Sequence, residues 1–340
     1  MNKNPAQRKK FRVGVDSYSL KPLGFTPFEL LDWVRANGGD GVQFSEINLP
    51  SGRALDRRFL QDLAQYAAEK RLYLEWGGGQ HIPFDLESGK PVDTAKINRR
   101  AAEQASVLGV RAIRSCSGGL MRWEEDSPPT ENFLRAMSQS LRGQRRMLED
   151  LGVTLAIETH FEFTTFELRK LFSMAGAEPG GYLGICLDTM NLLTMLEDPV
   201  PAAKRILPWV VMTHIKDGGI LLADTGFVTF TAPAGEGIVD LAAIFKLLAG
   251  LDRKIYLSLE DHGGDFPIPI FNPDFLQKFP DLTSAELARL LSLAVSTRRS
   301  IEQGRLAVVE RSRWPEVCEA RVRKGIGAIK EIASQVKFIA

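Results

Sequence analysis

The chain has 340 residues, 44% hydrophobic and 25% charged, a globular composition that excludes a collagen-like, low-complexity or largely disordered protein. Lys+Arg 43 against Asp+Glu 42 leaves a formal charge of +1, so no basic footprint speaks for nucleic acid. No apolar run reaches the roughly 18 residues of a membrane helix.

Taken in order, residues 1–10 form a basic segment with no apolar stretch behind it, which reads as a solvated tail rather than a secretory signal. Short apolar runs then alternate with longer amphipathic ones. The predicted strands are Phe11–Val15, Gly41–Phe44, Leu72–Trp76, Ala112–Ser115, Thr154–Glu158, Tyr182–Asp188, Val210–Ile215 and Ile255–Glu260. Between them helical spacing marks Pro27–Ala36, Arg57–Lys70, Thr94–Leu108 and Thr130–Leu151. Thr26-Pro27 has the form of a helix start, Asp240 of an N-cap, and Gly38-Gly39 and Gly109 of helix ends. The first strand leads into Asp16-Ser17-Tyr18-Ser19, not a Gly-rich phosphate turn, which disfavours a doubly wound sheet. The pattern therefore predicts an α/β fold, a (β/α)8 TIM barrel over residues 11–305, with a C-terminal helical extension over 306–340 packed on it. Ser284 onward is expected to supply the eighth helix and Trp314–Ile339 an additional one. Gly77-Gly78-Gly79 is read as a flexible loop at the barrel mouth, and Gly218–Gly237 and Asp261–Pro280 as long loops, the latter an apolar lid, with a structural plug on the rim or a subunit contact as the alternatives.

In a parallel barrel the reactive side chains collect where the strands end. Strands five to eight end in Glu158-Thr-His160, Asp188-Thr-Met-Asn191, His214-Ile-Lys216-Asp217 and Glu260-Asp-His262. A carboxylate closing an apolar strand is costly unless paired or bound to a cation. Three carboxylates and one imidazole at matching positions make a hard, mostly oxygen site, suited to one divalent cation: Mn2+ first, with Mg2+, Co2+ or Zn2+ tolerated. The alternative is a set of ion pairs with Lys216 and rim arginines. His160, Lys216, Asn191, His81 and His262 are candidates for substrate contact. Each has a bland reading as a satisfied rim residue or ion-pair partner. Trp76, Trp123 and Phe266 are candidates for an apolar wall or for packing alone. Cys116, Cys186 and Cys318 make no disulfide framework and carry no nucleophile signature, which points to small packed residues and a reducing, cytoplasmic setting.

Glu158, Asp188, His214 and Glu260, with His-Ile-Lys-Asp at 214–217 and Gly235-Glu-Gly-Ile-Val-Asp240 after it, resemble the metal ligands and flanking motifs of the sugar phosphate isomerase/epimerase family, within the xylose isomerase-like TIM barrels. The resemblance covers about residues 11–265. It implies a metal-dependent isomerase or epimerase of a small sugar or polyol ketone, with Glu158 and Glu260 both as ligands and as the proton-transferring pair. The alternative on the same barrel is a lyase or dehydratase. The resemblance also implies a small carbohydrate substrate and a homo-oligomer, with no nucleic acid and no membrane. A phosphodiesterase branch, with a multi-metal site rich in His, is disfavoured by the chain's 4 His. The sequence departs from the pattern at Asn191, where many members carry His, at Gln43, where many carry Glu, and after Asp217, where an expected Arg is not close by.

Overall fold

The computed structural model describes residues 10–119, 121–125 and 127–337, so the N-terminal tail up to residue 9 lies outside the described residues. Eight parallel strands close a barrel: β1 (Arg12–Asp16), β2 (Gly41–Phe44), β3 (Tyr73–Gly79), β4 (Ala112–Ser115), β5 (Thr154–Glu158), β6 (Leu183–Asp188), β7 (Val210–Ile215) and β10 (Tyr256–Leu259), with β10 returning to pair with β1. Between β7 and β10 the chain adds β8 (Asp217–Ala223) and β9 (Gly226–Ala232), and after β10 it adds β11 (Asp265–Ile268). These three form a separate antiparallel sheet in the order β11-β9-β8.

Local signals account for the element boundaries. Thr26 and Glu29 close a reciprocal capping box at the start of the helix Pro27–Ala36. Asp56, Asp93 and Asp240 cap the helices that follow them. Gly109 ends its helix in the left-handed conformation, at φ 72°.

Strand alternation points residues of one parity into the barrel. The floor holds Tyr73 and Tyr256, stacked with ring centroids 3.8 Å apart, under the Arg12 guanidinium. Gly14 and Gly41 make room for them: a Cβ on Gly41 would lie 2.2 Å from the Tyr73 ring, and one on Gly14 2.3 Å from its hydroxyl. The next layer is polar. Asp16, Gln43, Glu75, Arg114 and Ser258 lie there beside the small apolar patch of Ala156, Cys186 and Met212.

Three expectations are corrected. Gly77-Gly78-Gly79 is not a loop but the last turn-side stretch of β3, where the pairing with β4 shifts register between Trp76 and Gly79. A Cβ on Gly77 or Gly79 would press on the neighbouring strands, so close strand approach, not flexibility, needs these glycines. The Gly218–Gly237 segment is mostly the β8–β9 hairpin, and Asp261–Pro280 carries β11 and a short helix, Pro273–Leu276. Alternating apolar and small residues in Gly218–Ala232 are the strand signal that was missed. The C-terminal helices also exchange places. Trp314–Ser334 lies against β1, β10 and the helix Leu241–Ala249, whereas Ser284–Glu302 packs on β8. Arg321 makes a two-pronged ion pair with Asp261, just beyond β10, and Trp314 donates to the Ser19 carbonyl, which fixes the last helix on the barrel.

Gly41→Ala is expected to lower stability by about 1–3 kcal/mol through overpacking against Tyr73, read from urea unfolding. An unchanged midpoint would show that the Tyr73 ring can move aside.

Candidate metal centre and active site

The four strand-end residues meet. Glu158, Asp188, His214 and Glu260 are all buried, and each offers a ligand atom within 4.8 Å of the others. The register explains the convergence. Asp188 pairs with His214, but Glu158 pairs with Cys186 and His214 with Ser258, so the ligand positions step forward twice around the barrel. In tilted strands that stagger returns the four side chains to one height.

His214 is held through both ring nitrogens. Nδ1 lies 3.2 Å from Glu158 Oε1 and 3.6 Å from Glu260 Oε2. Nε2 faces Asp16 Oδ2 at 3.4 Å and the Gln43 amide. The Gln43 Oε1 atom is buried without a partner. With the amide turned over, its oxygen accepts from His214 Nε2–H, which leaves Nδ1 facing the carboxylates: protonated it donates to Glu158, and deprotonated it offers its lone pair to an ion held between them. Glu158 is also paired with the Arg114 guanidinium, and Glu260 with the Lys216 ammonium, which lies 2.8 Å from Asp188 Oδ2 as well.

The electrostatics follow from burial opposed by these partners. Burial works against ionising Glu158, but Arg114 and His214 hold its carboxyl well below the usual range. Burial likewise opposes ionising Glu260, yet Lys216 and His214 hold it low. Asp188 is pushed up to about 6 by burial despite Lys216. One layer beneath, burial pushes Glu75 up to about 8, while it accepts a hydrogen bond from Ser258 Oγ at 2.6 Å.

The residues fit a divalent cation. Ligand atoms around one ion at about 2.0–2.3 Å lie at most about 4.6 Å apart, close to the spread found here. Asp188 Oδ2 and Glu260 Oε2 are buried and share the Lys216 ammonium without a well-directed hydrogen bond, so both keep lone pairs that a cation could take. Three carboxylates and an imidazole are a hard donor set.

The remaining candidates divide. Lys216 and Asn191 join the centre: Lys216 Nζ is 3.5 Å from Asn191 Oδ1, and the buried Asn191 Nδ2 has no partner. His160 does not follow strand alternation, because β5 ends at Glu158. Its Nδ1 is 3.1 Å from both oxygens of Glu162, in a small cluster with Cys116. Burial disfavours its charged form, but Cys116 and Glu162 raise its pKa well above normal. His81 is buried, bonded to Ser115 Oγ at 2.8 Å and pushed down to about 4 by burial. His262 is pushed down to about 3 by burial and by Lys216, and it lies beside Arg311 and Tyr18.

A cavity of about 210 Å³ adjoins Asn191 and His262, with Phe161, Met190, Phe230 and Phe266 among its walls. Phe266 packs on Phe161 and Trp123 at centroid distances of 4.7 and 5.2 Å. Trp76 instead packs against Phe44 and donates to Gln104, away from this wall. The turn at 235–240 has a structural role: the Asp217 carboxylate accepts from the backbone N–H groups of Gly235, Gly237 and Val239 and anchors the hairpin at the rim. Sequence reading missed Asp16, Arg114 and Glu75. Their inward parity on β1, β4 and β3 was the available signal. It also missed Arg311, which no local signal marks.

A family model described as the xylose isomerase-like TIM barrel matches residues 31–289. The chain belongs to this family. A 3-oxo-isoapionate decarboxylase of Pectobacterium atrosepticum is 26% identical over 72% of this chain and 82% of its own length. An uncharacterized Escherichia coli protein, YihM, is 22% identical over 65% of this chain, and the match spans 62% of that relative's length. Among solved structures, an L-ribulose 3-epimerase superposes with a TM-score of 0.57 at 19% identity, over 86% of this chain and 97% of that one. At that identity it shows the shared fold. No helix among the described residues is long and apolar enough to cross a membrane.

Two expectations follow. Gln43→Leu removes the acceptor of His214 Nε2–H and should weaken Mn2+ binding about 10–100-fold by calorimetric titration; an unchanged affinity would show that Asp16 alone orients the ring. Glu75→Gln tests buried charge. The folded-state pKa of Glu75 is raised to about 8, so the wild type has its full stability contribution from this group below the unfolded pKa and loses it as pH rises towards 8. Urea unfolding should therefore show similar stability for the two proteins near pH 4. The variant should gain progressively above pH 5.

Proposed function

We propose that the chain is a divalent-cation-dependent isomerase or epimerase of a small polyhydroxy ketone, working through an enediolate. The observation that carries this reading is the convergence of Glu158, Asp188, His214 and Glu260 beside a partly apolar cavity at the strand ends. These four would hold the ion, Mn2+ by preference. A bound divalent ion supplies Lewis acidity, polarising a carbonyl and stabilising negative charge as the neighbouring C–H proton leaves.

The chain's own groups do the rest. Glu158 and Glu260 are both ionised and sit in different surroundings, one on Arg114 and the other on Lys216. One carboxylate takes the α-proton; the other, loaded with a proton from solvent, returns it at the neighbouring or the same carbon, and release of the abstracted proton to solvent restores the pair. Lys216 can donate to the oxygen that gains charge, and Asn191 Nδ2 to a substrate hydroxyl. The β8–β9 hairpin and the Asp261–Pro280 segment cover this end, exclude water from the enediolate and admit small monomers in preference to polymers.

A second reading, a lyase, is favoured by the decarboxylase relative. Loss of carbon dioxide beside a ketone leaves the same anion, and needs the same charge stabilisation without an initial proton abstraction.

Deuterium exchange at the α-carbon separates the two. In D2O with Mn2+, at least one member of a panel of ketoses and polyhydroxy keto acids should exchange, and chelation should abolish the exchange. Glu260→Gln should keep the ion within a few-fold yet slow exchange about 10²–10⁴-fold. Carbon dioxide release from a β-keto acid that survives Glu260→Gln, with no exchange on any ketose or keto acid of the panel, would assign the lyase. Unimpaired exchange in Glu260→Gln would exclude its role as a base.

A further inference from the structure

The cavity beside the candidate metal centre ends on a cation that the barrel itself does not supply. Arg311 belongs to the short turn Arg311–Arg313 that precedes the last helix, and it lines the same cavity as Asn191 and His262. Its side chain lies across Gly264, where a Cβ would come within 3.3 Å of it and where the backbone is at φ +88°. Among the described residues its guanidinium meets the Tyr18 hydroxyl and ring and His262 Nδ1, and no carboxylate. The contact with His262 is contested: the same Nδ1 lies 2.7 Å from the Gly263 carbonyl. One imidazole nitrogen either donates to the carbonyl or accepts from the guanidinium, not both.

The fork therefore has donors to spare. Among the described residues Asp265 is the one carboxylate lining this cavity, and it is exposed and makes no ion pair with Arg311. Asn191 Nδ2, on the same cavity, is a buried donor with no partner among the described residues. A partly apolar cavity lined by both a cation without a carboxylate partner and an unsatisfied amide donor calls for an acceptor-rich ligand with a negative charge. One guanidinium carries the single charge a carboxylate needs and matches its two oxygens; the fork can also grip a phosphate, an outcome that the titration below reads separately.

We propose that Arg311 binds the carboxylate of the substrate, so that the molecule acted on is a small polyhydroxy keto acid rather than a neutral sugar. This rests on the reading of the strand-end quartet as the reaction centre, and it names the substrate class for that centre. The C-terminal turn thereby sets specificity, with Tyr18 and His262 positioning the guanidinium.

The test is calorimetric titration of Mn2+-loaded protein with erythronate, erythritol and erythritol 4-phosphate. Wild type should bind erythronate about tenfold or more tightly than Arg311→Ala does, the scale of one charge-assisted contact. Erythritol should bind both proteins equally. Arg311→Lys, which keeps the charge but loses the fork, should fall between. Equal erythronate affinity in wild type and Arg311→Ala would overturn the proposal, because the carboxylate would then be held elsewhere. Tighter binding of the phosphate than of erythronate by wild type would overturn it as well. Arg311 is exposed, and an unchanged thermal midpoint and Mn2+ affinity in Arg311→Ala would show that fold and centre are intact. If wild type fails to bind Mn2+, the metal reading fails on its own. Arg311-dependent binding of erythronate to the ion-free protein would still sustain this inference.

Discussion

Ionisable groups inside a closed barrel, where burial strips most of their solvation, are the constraint on which this structure turns. Asp16, Glu75, Arg114, Glu158, Asp188, His214, Lys216 and Glu260 lie in successive inward layers. A barrel of this kind is normally filled by branched aliphatic side chains. Here the aliphatic packing lies outside the strands, between sheet and helices, and the interior is a polar column standing on the Tyr73–Tyr256 stack. Each charge has a specific answer: Arg114 for Glu158, Lys216 for Asp188 and Glu260, burial-enforced protonation for Glu75. The answer is thinnest at the top, where one ammonium is shared by two carboxylates. Breaking a buried pair is expensive, so the column holds its shape and leaves its unmet demand at the strand ends.

That arrangement decides what could be read from sequence. The eight barrel strands were legible because buried parallel strands are apolar runs with sharp ends, and the end residues fell where ligands belong. The quartet followed from the same endings. Inward-facing Asp16 and Arg114 were not legible as a layer, because a charged residue one or two places from a strand end looks like a rim residue until the barrel closes. The β8–β9 hairpin hid behind its glycines. Gly218 and Gly219 suggest a loop, yet a Cβ on either would strike Phe230, so they are glycines of close strand pairing.

The C-terminal segment shows the other limit. Trp314–Ser334 occupies the outer position that chain order gave to Ser284–Glu302. The reason is physical: Asp261 follows the last barrel strand and is buried, and Arg321 on the later helix is the cation that compensates it. A buried carboxylate selects the helix that can neutralise it, whichever comes first in the chain. Ser284–Glu302 is then left to cover the hairpin, whose outer face needs an apolar partner.

The same selection has a consequence for chemistry. Once Arg321 draws the last helix onto Asp261, the turn before that helix is carried to the barrel mouth, and Arg311 arrives beside His262 and Tyr18. The barrel strands provide carboxylates and one imidazole at this end; the guanidinium at the outer edge of the cavity comes from a segment far along the chain. On the proposed function, the charge that stabilises an anion is thus split between a core whose geometry is set by strand register and a peripheral turn set by one ion pair. Changes in the turn would then retune which anion fits without disturbing the register that gathers Glu158, Asp188, His214 and Glu260. Such a division would separate the proposed common step, stabilising an enediolate, from the choice of molecule that undergoes it.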